Sequence, residues 1–106
     1  AVGYGLNEGF PSFAGGDTRA KAEMMLVSLR GTYGVPRGTS VVFSNNNGKT
    51  HRGGTCFGDS GGPVFDADGT VVAVTSFGIA LTCAGPGGYY RVDQPVALDF
   101  INGFLD

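Results

Sequence analysis

The sequence predicts an all-β domain ending in one short helix, and three observations carry that reading. Short runs of strand-forming residues, such as "TSVVFSN" (39–45) and "TVVAVTSF" (70–77), are separated by clusters of Gly, Pro, Asn and Asp. That is the pattern of a sandwich or barrel. There are 20 glycines in 106 residues, far above the usual ~7%. Yet 42% of the chain is apolar, so the glycines read as turns and close approaches rather than as a disordered, low-complexity chain. Finally, "PVALDFINGFLD" (95–106) places Val96, Leu98, Ile101 and Leu105 near helical spacing, behind a proline suited to a first turn.

Taken in order, residues 1–6 read as a strand and "NEGFPSFAGGDT" (7–18) as a Gly/Pro loop. "KAEMMLVSL" (21–29) is ambiguous: its front half favours helix, while its back half alternates like a strand. Strand is chosen, partly on the resemblance described below. Residues 39–45 form a clear strand, and Asn47-Gly48 marks a turn after it. Residues 63–66 and 70–77 flank "DADG" (66–69), which predicts a hairpin. Asp66 and Asp68 could also open a calcium loop, but the later glutamate and the longer ligand series are missing, so no metal site is expected. Residues 88–93 read as the last strand, and the helix should cap the barrel. With no repeat or linker, 1–106 is expected to be a single domain.

Charge and cysteine content narrow the function. The net charge is -2 with only 7 Lys+Arg, spread along the chain. There is no basic stripe, so neither nucleic acid nor an anionic membrane is expected as a partner. No apolar run approaches the ~18 residues of a spanning helix. The start lacks the basic and apolar regions of a signal peptide, so the chain reads as a mature or processed piece. Cys56 and Cys83 could be free thiols, half a zinc site or a disulfide. A single histidine and no second cysteine pair disfavour zinc, and a disulfide is the expected state. It would imply a secreted or periplasmic address. Nothing in the sequence calls for a cofactor.

The most informative stretch is "CFGDSGGPV" (56–64). Gly58, Gly61 and Gly62 can bend the chain sharply enough to leave Ser60 on a rigid, exposed corner. Amides of Gly58 and Ser60 that converge on one point would hold a developing negative oxygen beside a hydroxyl nucleophile. Pro63 then fixes φ and leads into a buried strand. A plain hairpin turn is the competing reading of any four of these residues.

With all six in order, GDSGGP (58–63) resembles the nucleophile motif of the trypsin-like serine proteases of the chymotrypsin fold. Further landmarks follow in that family's order. "VGYG" (2–5) resembles the opening strand of its second barrel, "TSFG" (75–78) its substrate-pairing Ser-Trp-Gly segment, "PGGYYRVD" (86–93) its last strand, and "DFINGFL" (99–105) its closing helix. The resemblance covers essentially the whole chain, but only the second half of a family member. It implies a six-stranded antiparallel Greek-key β-barrel with a short C-terminal helix. It also implies that Ser60 is the nucleophile, with Gly58 and Asp59 shaping the oxyanion hole, and that a Cys56–Cys83 disulfide ties the pocket walls together. Gly54, Thr55, Cys56 and Phe57, with Ser76, Phe77, Gly78 and Gly87, would then bind substrate. Gly54 stands where an aspartate would select Arg or Lys, and with Gly78 and Gly87 it would leave a wide, uncharged pocket for a large apolar or aromatic side chain. Residues 76–78 would pair with an extended peptide or protein substrate.

The mechanism is incomplete within this sequence. In the family, the histidine and aspartate that activate the serine come from the first barrel. The only histidine here, His51, would by resemblance lie in a loop beside the pocket entrance, out of reach of Ser60. Asp59 would normally pair with an N-terminal amine from that absent half, so a disordered or remodelled oxyanion loop is expected. The expected partner is the missing N-terminal barrel or a self-associating copy that covers the exposed apolar face. The leading expectation is the C-terminal half of a secreted trypsin-like endopeptidase, inactive alone. The runner-up is a non-catalytic peptide-binding or scaffold module, and a minimal hydrolase using His51 comes last.

Overall fold

β-branched residues at 41 and 42, followed by Phe43, place an interior strand in the main sheet, with Val41 and Val42 both buried. The structure is a computed structural model, and it describes residues 1–6, 15–16, 18–30, 38–45, 54–78, 83 and 85–105. In chain order its elements are β1 (Val2–Gly3), β2 (Ala20–Lys21), β3 (Met25–Ser28), β4 (Ser40–Ser44), β5 (Pro63–Phe65), β6 (Val71–Gly78), β7 (Pro86–Arg91) and α1 (Pro95–Leu105).

β1 and β2 form an antiparallel ribbon of their own. The other five strands form one antiparallel sheet in the order β3-β4-β7-β6-β5. This sheet curls into a half-barrel, and among the described residues it does not close into the expected six-stranded Greek-key barrel. The segment read as one strand over 21–29 is divided between β2 and β3, with Ala22–Met24 outside both. The last strand begins at Pro86 rather than at 88, because Pro86 and Gly87 already pair with Ser44 and Phe43. Proline is tolerated there as the first residue of a strand.

The core is small: Val41, Val64, Ala73 and Tyr89, with Phe43 packed edge-on against the Tyr89 ring at 5.2 Å. The 66–69 hairpin forms as expected. Asp66 Oδ1 accepts the amides of Asp68 at 2.9 Å and Thr70 at 3.0 Å, a local use of the carboxylate. Among the described residues no group of His, Cys, Asp or Glu could hold a metal ion.

The helix forms where its pattern places it but does not bury the residues that predicted it. Ala97 is its only buried residue, and Val96, Leu98, Ile101 and Leu105 are exposed. Periodicity reports the helical backbone; it does not report whether a surface is present to receive the apolar side. No described helix is long and apolar enough to cross a membrane.

Candidate functional site

The sequence motif builds a double turn between the disulfide and β5. Gly58 and Gly61 adopt φ of 96° and 85°, a left-handed backbone that side-chain-bearing residues rarely enter. Asp59 N–H donates to the Cys56 carbonyl at 3.1 Å, and Gly62 N–H to the Asp59 carbonyl at 3.0 Å. The turn is stitched to β6 by two backbone bonds, from Gly61 N–H to the Thr75 carbonyl at 2.8 Å and from Thr75 N–H to the Gly62 carbonyl at 2.9 Å. Ser60 is left exposed on the corner. Among the described residues its Oγ makes one long contact, to the Ser76 carbonyl at 3.4 Å, too long to hold the hydroxyl firmly.

Asp59 has a different partner from the ones expected. Its two oxygens accept backbone amides, Oδ1 from Gly5 at 2.8 Å and Oδ2 from Cys56 at 2.9 Å, and no side-chain cation pairs with it among the described residues. Leu6 N–H donates to the Phe57 carbonyl at 2.8 Å, so the segment around β1 lies along the turn and braces it. Among the described residues the turn is thus held by backbone donors to Asp59 rather than by a salt bridge, with the Ala1 ammonium attracted to that carboxylate from further away. Among the described residues, the amides of Gly58 and Ser60 donate to no protein acceptor. A cleft of about 340 Å³ opens beside the serine, bordered by Val2, Gly3, Tyr4, Arg19, Asp59 and Ser60.

The expected disulfide between Cys56 and Cys83 is present, with the two Cα atoms 5.1 Å apart. It ties the extended segment leading into the turn to the segment before β7. Ser76 sits at a register shift in β6: Thr75 faces Tyr89 and Phe77 faces Gly88, so Ser76 is the extra residue of a bulge. On the other side, β5 pairs with β6 only over Val71–Val74, which leaves Ser76–Gly78 beyond the end of β5.

Three glycines were expected to leave a wide pocket, and the structure differs at two of them. The direction in which a side chain at Gly54 would project is filled by Asn45, and the same direction at Gly87 is filled by Asn45 and the Tyr89 ring. Only Gly78 faces open space. Asn45 is 3% exposed. Its Oδ1 accepts Thr55 N–H at 3.2 Å and the Tyr89 hydroxyl at 2.6 Å, while Thr55 Oγ1 lies 2.7 Å from that hydroxyl. Burial pushes the Tyr89 phenol above its usual value, opposed by the hydrogen bonds to Thr55 and Asn45. Asn45 is missed from sequence because it closes a strand just before Asn47-Gly48, a pair expected to turn, where asparagine is commonplace; residues 47 and 48 lie outside the described residues. His51 lies outside the described residues.

The family model described as Trypsin matches residues 14–101. The chain belongs to the trypsin family. No curated protein and no solved structure matches it. The trypsin-family match spans the Ser60 turn, both cysteines, the Ser76 bulge and most of α1, so the motif stands in its family context.

Proposed function

We propose that this chain is the C-terminal barrel of a secreted trypsin-like serine endopeptidase, acting on peptide or protein substrates once a barrel carrying the histidine and aspartate is joined to it. Ser60 Oγ is the nucleophile: it attacks the scissile carbonyl carbon as the histidine of the other barrel takes its proton. The amides of Gly58 and Ser60 receive the oxyanion that forms. The observation that carries the reading is the Ser60 turn itself: an exposed hydroxyl beside two amides with no described acceptor, on a loop braced from both sides.

The remaining roles follow from position. The edge of β6 beyond β5 offers Ser76, Phe77 and Gly78 to an extended substrate. Thr55, Cys56, Phe57, Gly54 and Gly87 surround the side chain before the cut, in a pocket with no carboxylate among its described members. The disulfide suits a secreted or periplasmic location. Met25, Leu26, Val27 and Leu29 around β3, and Phe100 and Phe104 on α1, are exposed apolar residues of the kind that a second barrel or a second copy covers.

The test is covalent labelling by a fluorophosphonate. Ser60 is expected to label when a barrel bearing the histidine and aspartate is supplied, with no labelling of Ser60→Ala and little of the chain alone. Equal labelling of the chain alone would defeat the claim that it depends on a second barrel. No labelling in the completed protein would favour the binding-module alternative.

A further inference from the structure

The Tyr89 hydroxyl has one proton and three neighbours able to accept it. Asn45 Oδ1 lies 2.6 Å away, Thr55 Oγ1 2.7 Å and Met24 Sδ 3.2 Å. The Asn45 atom accepts Thr55 N–H at 3.2 Å, so it is the carbonyl oxygen and can only accept. Thr55 Oγ1 carries a proton of its own and can donate it to the phenol oxygen. The phenol proton is therefore held chiefly by Asn45, and the Met24 sulfur, a weak acceptor at longer range, comes second.

Met24 can be reached from solvent and felt by the core. It packs against the cluster of Val41, Val64, Ala73 and Tyr89, yet it is only partly buried. It lies between β2 and β3 and outside both, and its unbranched side chain can shift without breaking a strand pairing. On the far side of the hydroxyl, Thr55 leads directly to Cys56, whose amide donates to Asp59 Oδ2 at 2.9 Å. One run of contacts thus joins a partly exposed sulfur, through a buried phenol, to the carboxylate that holds the Ser60 turn.

We propose that Met24 is a redox-modification site whose state is read by the Tyr89 hydroxyl. A peroxide that reaches the sulfur transfers one oxygen to it. The O–O bond breaks and an S–O bond forms; sulfur gives up two electrons, and the other peroxide oxygen leaves as water, or as an alcohol from an organic peroxide. The sulfoxide oxygen is a far stronger acceptor than the thioether it replaces. It takes the phenol proton from Asn45 Oδ1, which then keeps only Thr55 as a donor, through contacts of 3.2 and 3.5 Å. The network that positions Thr55 loosens, and the segment leading into the Ser60 turn loosens with it. This goes beyond the function proposed above and does not depend on it.

The chain has two methionines, and the second, Met25, is 54% exposed and serves as an internal control. The folded chain is treated with hydrogen peroxide, and oxidation at each position is followed by peptide mass spectrometry. Met25→Leu leaves Met24 as the only target, and its treated and untreated forms are compared by two-dimensional amide NMR and by thermal melting. Met24 is expected to oxidise in the folded chain, the Thr55 backbone amide and Asn45 side-chain amide signals to move, and Tm to fall by at least ~5 °C. Met24→Leu should keep both signals and its Tm through the same treatment; should that variant not fold, the Met25→Leu comparison decides alone. Three results would each overturn the proposal: Met24 oxidising only once the chain is unfolded, Thr55 and Asn45 signals that stay in place after Met24 is oxidised, or an equal response in Met24→Leu. Peptidase activity enters none of these measurements, so a failure of the proposed function would leave the result at Met24 standing.

Discussion

The Gly5 amide donates to the Asp59 carboxylate at 2.8 Å, joining positions 54 residues apart and holding the Ser60 turn at a point separate from its bonds to β6. The approach is close because both neighbouring residues on β1's segment lack side chains: a Cβ on Gly5 would sit 2.6 Å from each carboxylate oxygen, and one on Gly3 would also collide with Asp59. Gly5→Ala should therefore destabilise the fold by about 1–3 kcal/mol through overpacking. Asp59→Ala, which strands the amides of Gly5 and Cys56, should cost about 2–3 kcal/mol. Urea unfolding followed by circular dichroism measures both, and a Gly5→Ala variant as stable as the parent would show that the segment does not brace the turn.

Tyr89 supplies a prediction in pH. Its ring is fully buried, and burial is the main cause of its raised pKa, relative to an ordinary value of 10.0. A phenol whose folded pKa lies above its unfolded one favours folding while it stays protonated. That contribution is complete below about pH 10, and it disappears as pH rises through the folded value. The parent should lose stability steeply in that alkaline window. Tyr89→Phe should lose less there, yet be about 1–2 kcal/mol weaker at neutral pH, where Asn45 Oδ1 and Thr55 Oγ1 lose a partner. Thermal melts across the pH range separate the two effects, and parallel alkaline profiles would refute the assignment.

The contrast between Tyr89 and Asn45 shows what the sequence could carry. Alternation and turn chemistry are local, so β4, the 66–69 hairpin, β6 and the existence of α1 were legible. The Ser60 turn was also legible, because its glycines and proline are consecutive. Asn45 acquires its meaning from Thr55 and Tyr89, 10 and 44 residues away, and from two glycines whose missing side chains make room for it. No spacing rule encodes that. The anchoring of Asp59 by Gly5 is non-local in the same way, and a backbone donor leaves no mark in the sequence. Sheet closure and the burial of α1 depend on surfaces that meet only in the folded assembly, so the helical pattern named Val96, Leu98, Ile101 and Leu105 without saying what would cover them.

Reducing the disulfide should weaken the fold without erasing it. Cys56 and Cys83 are 27 residues apart, and opening a loop of that size releases chain entropy in the unfolded state worth about 3–4 kcal/mol. The same loss is expected in Cys56→Ser combined with Cys83→Ser. Under the proposed function both cysteines border the substrate segment, so reduction should also weaken peptide binding. Denaturant melts with and without dithiothreitol test the first claim; coincident curves would mean that the bond constrains neither state.

Ser60→Ala separates chemistry from architecture. Ser60 is exposed, and its one hydroxyl contact among the described residues, the Ser76 carbonyl at 3.4 Å, is too long to add much. The turn is held by backbone bonds from Gly61, Gly62 and Thr75 and by the Asp59 carboxylate, none of which involves the Ser60 side chain. Removing the oxygen should therefore change stability by no more than about 0.5 kcal/mol. In the completed protein the same change should abolish phosphonate labelling and lower kcat at least ~1,000-fold, with KM little altered, because the atom deleted forms the bond in the transition state and contributes little to ground-state binding. A large loss of stability would mean that Ser60 is part of the scaffold. Full activity would place the nucleophile elsewhere.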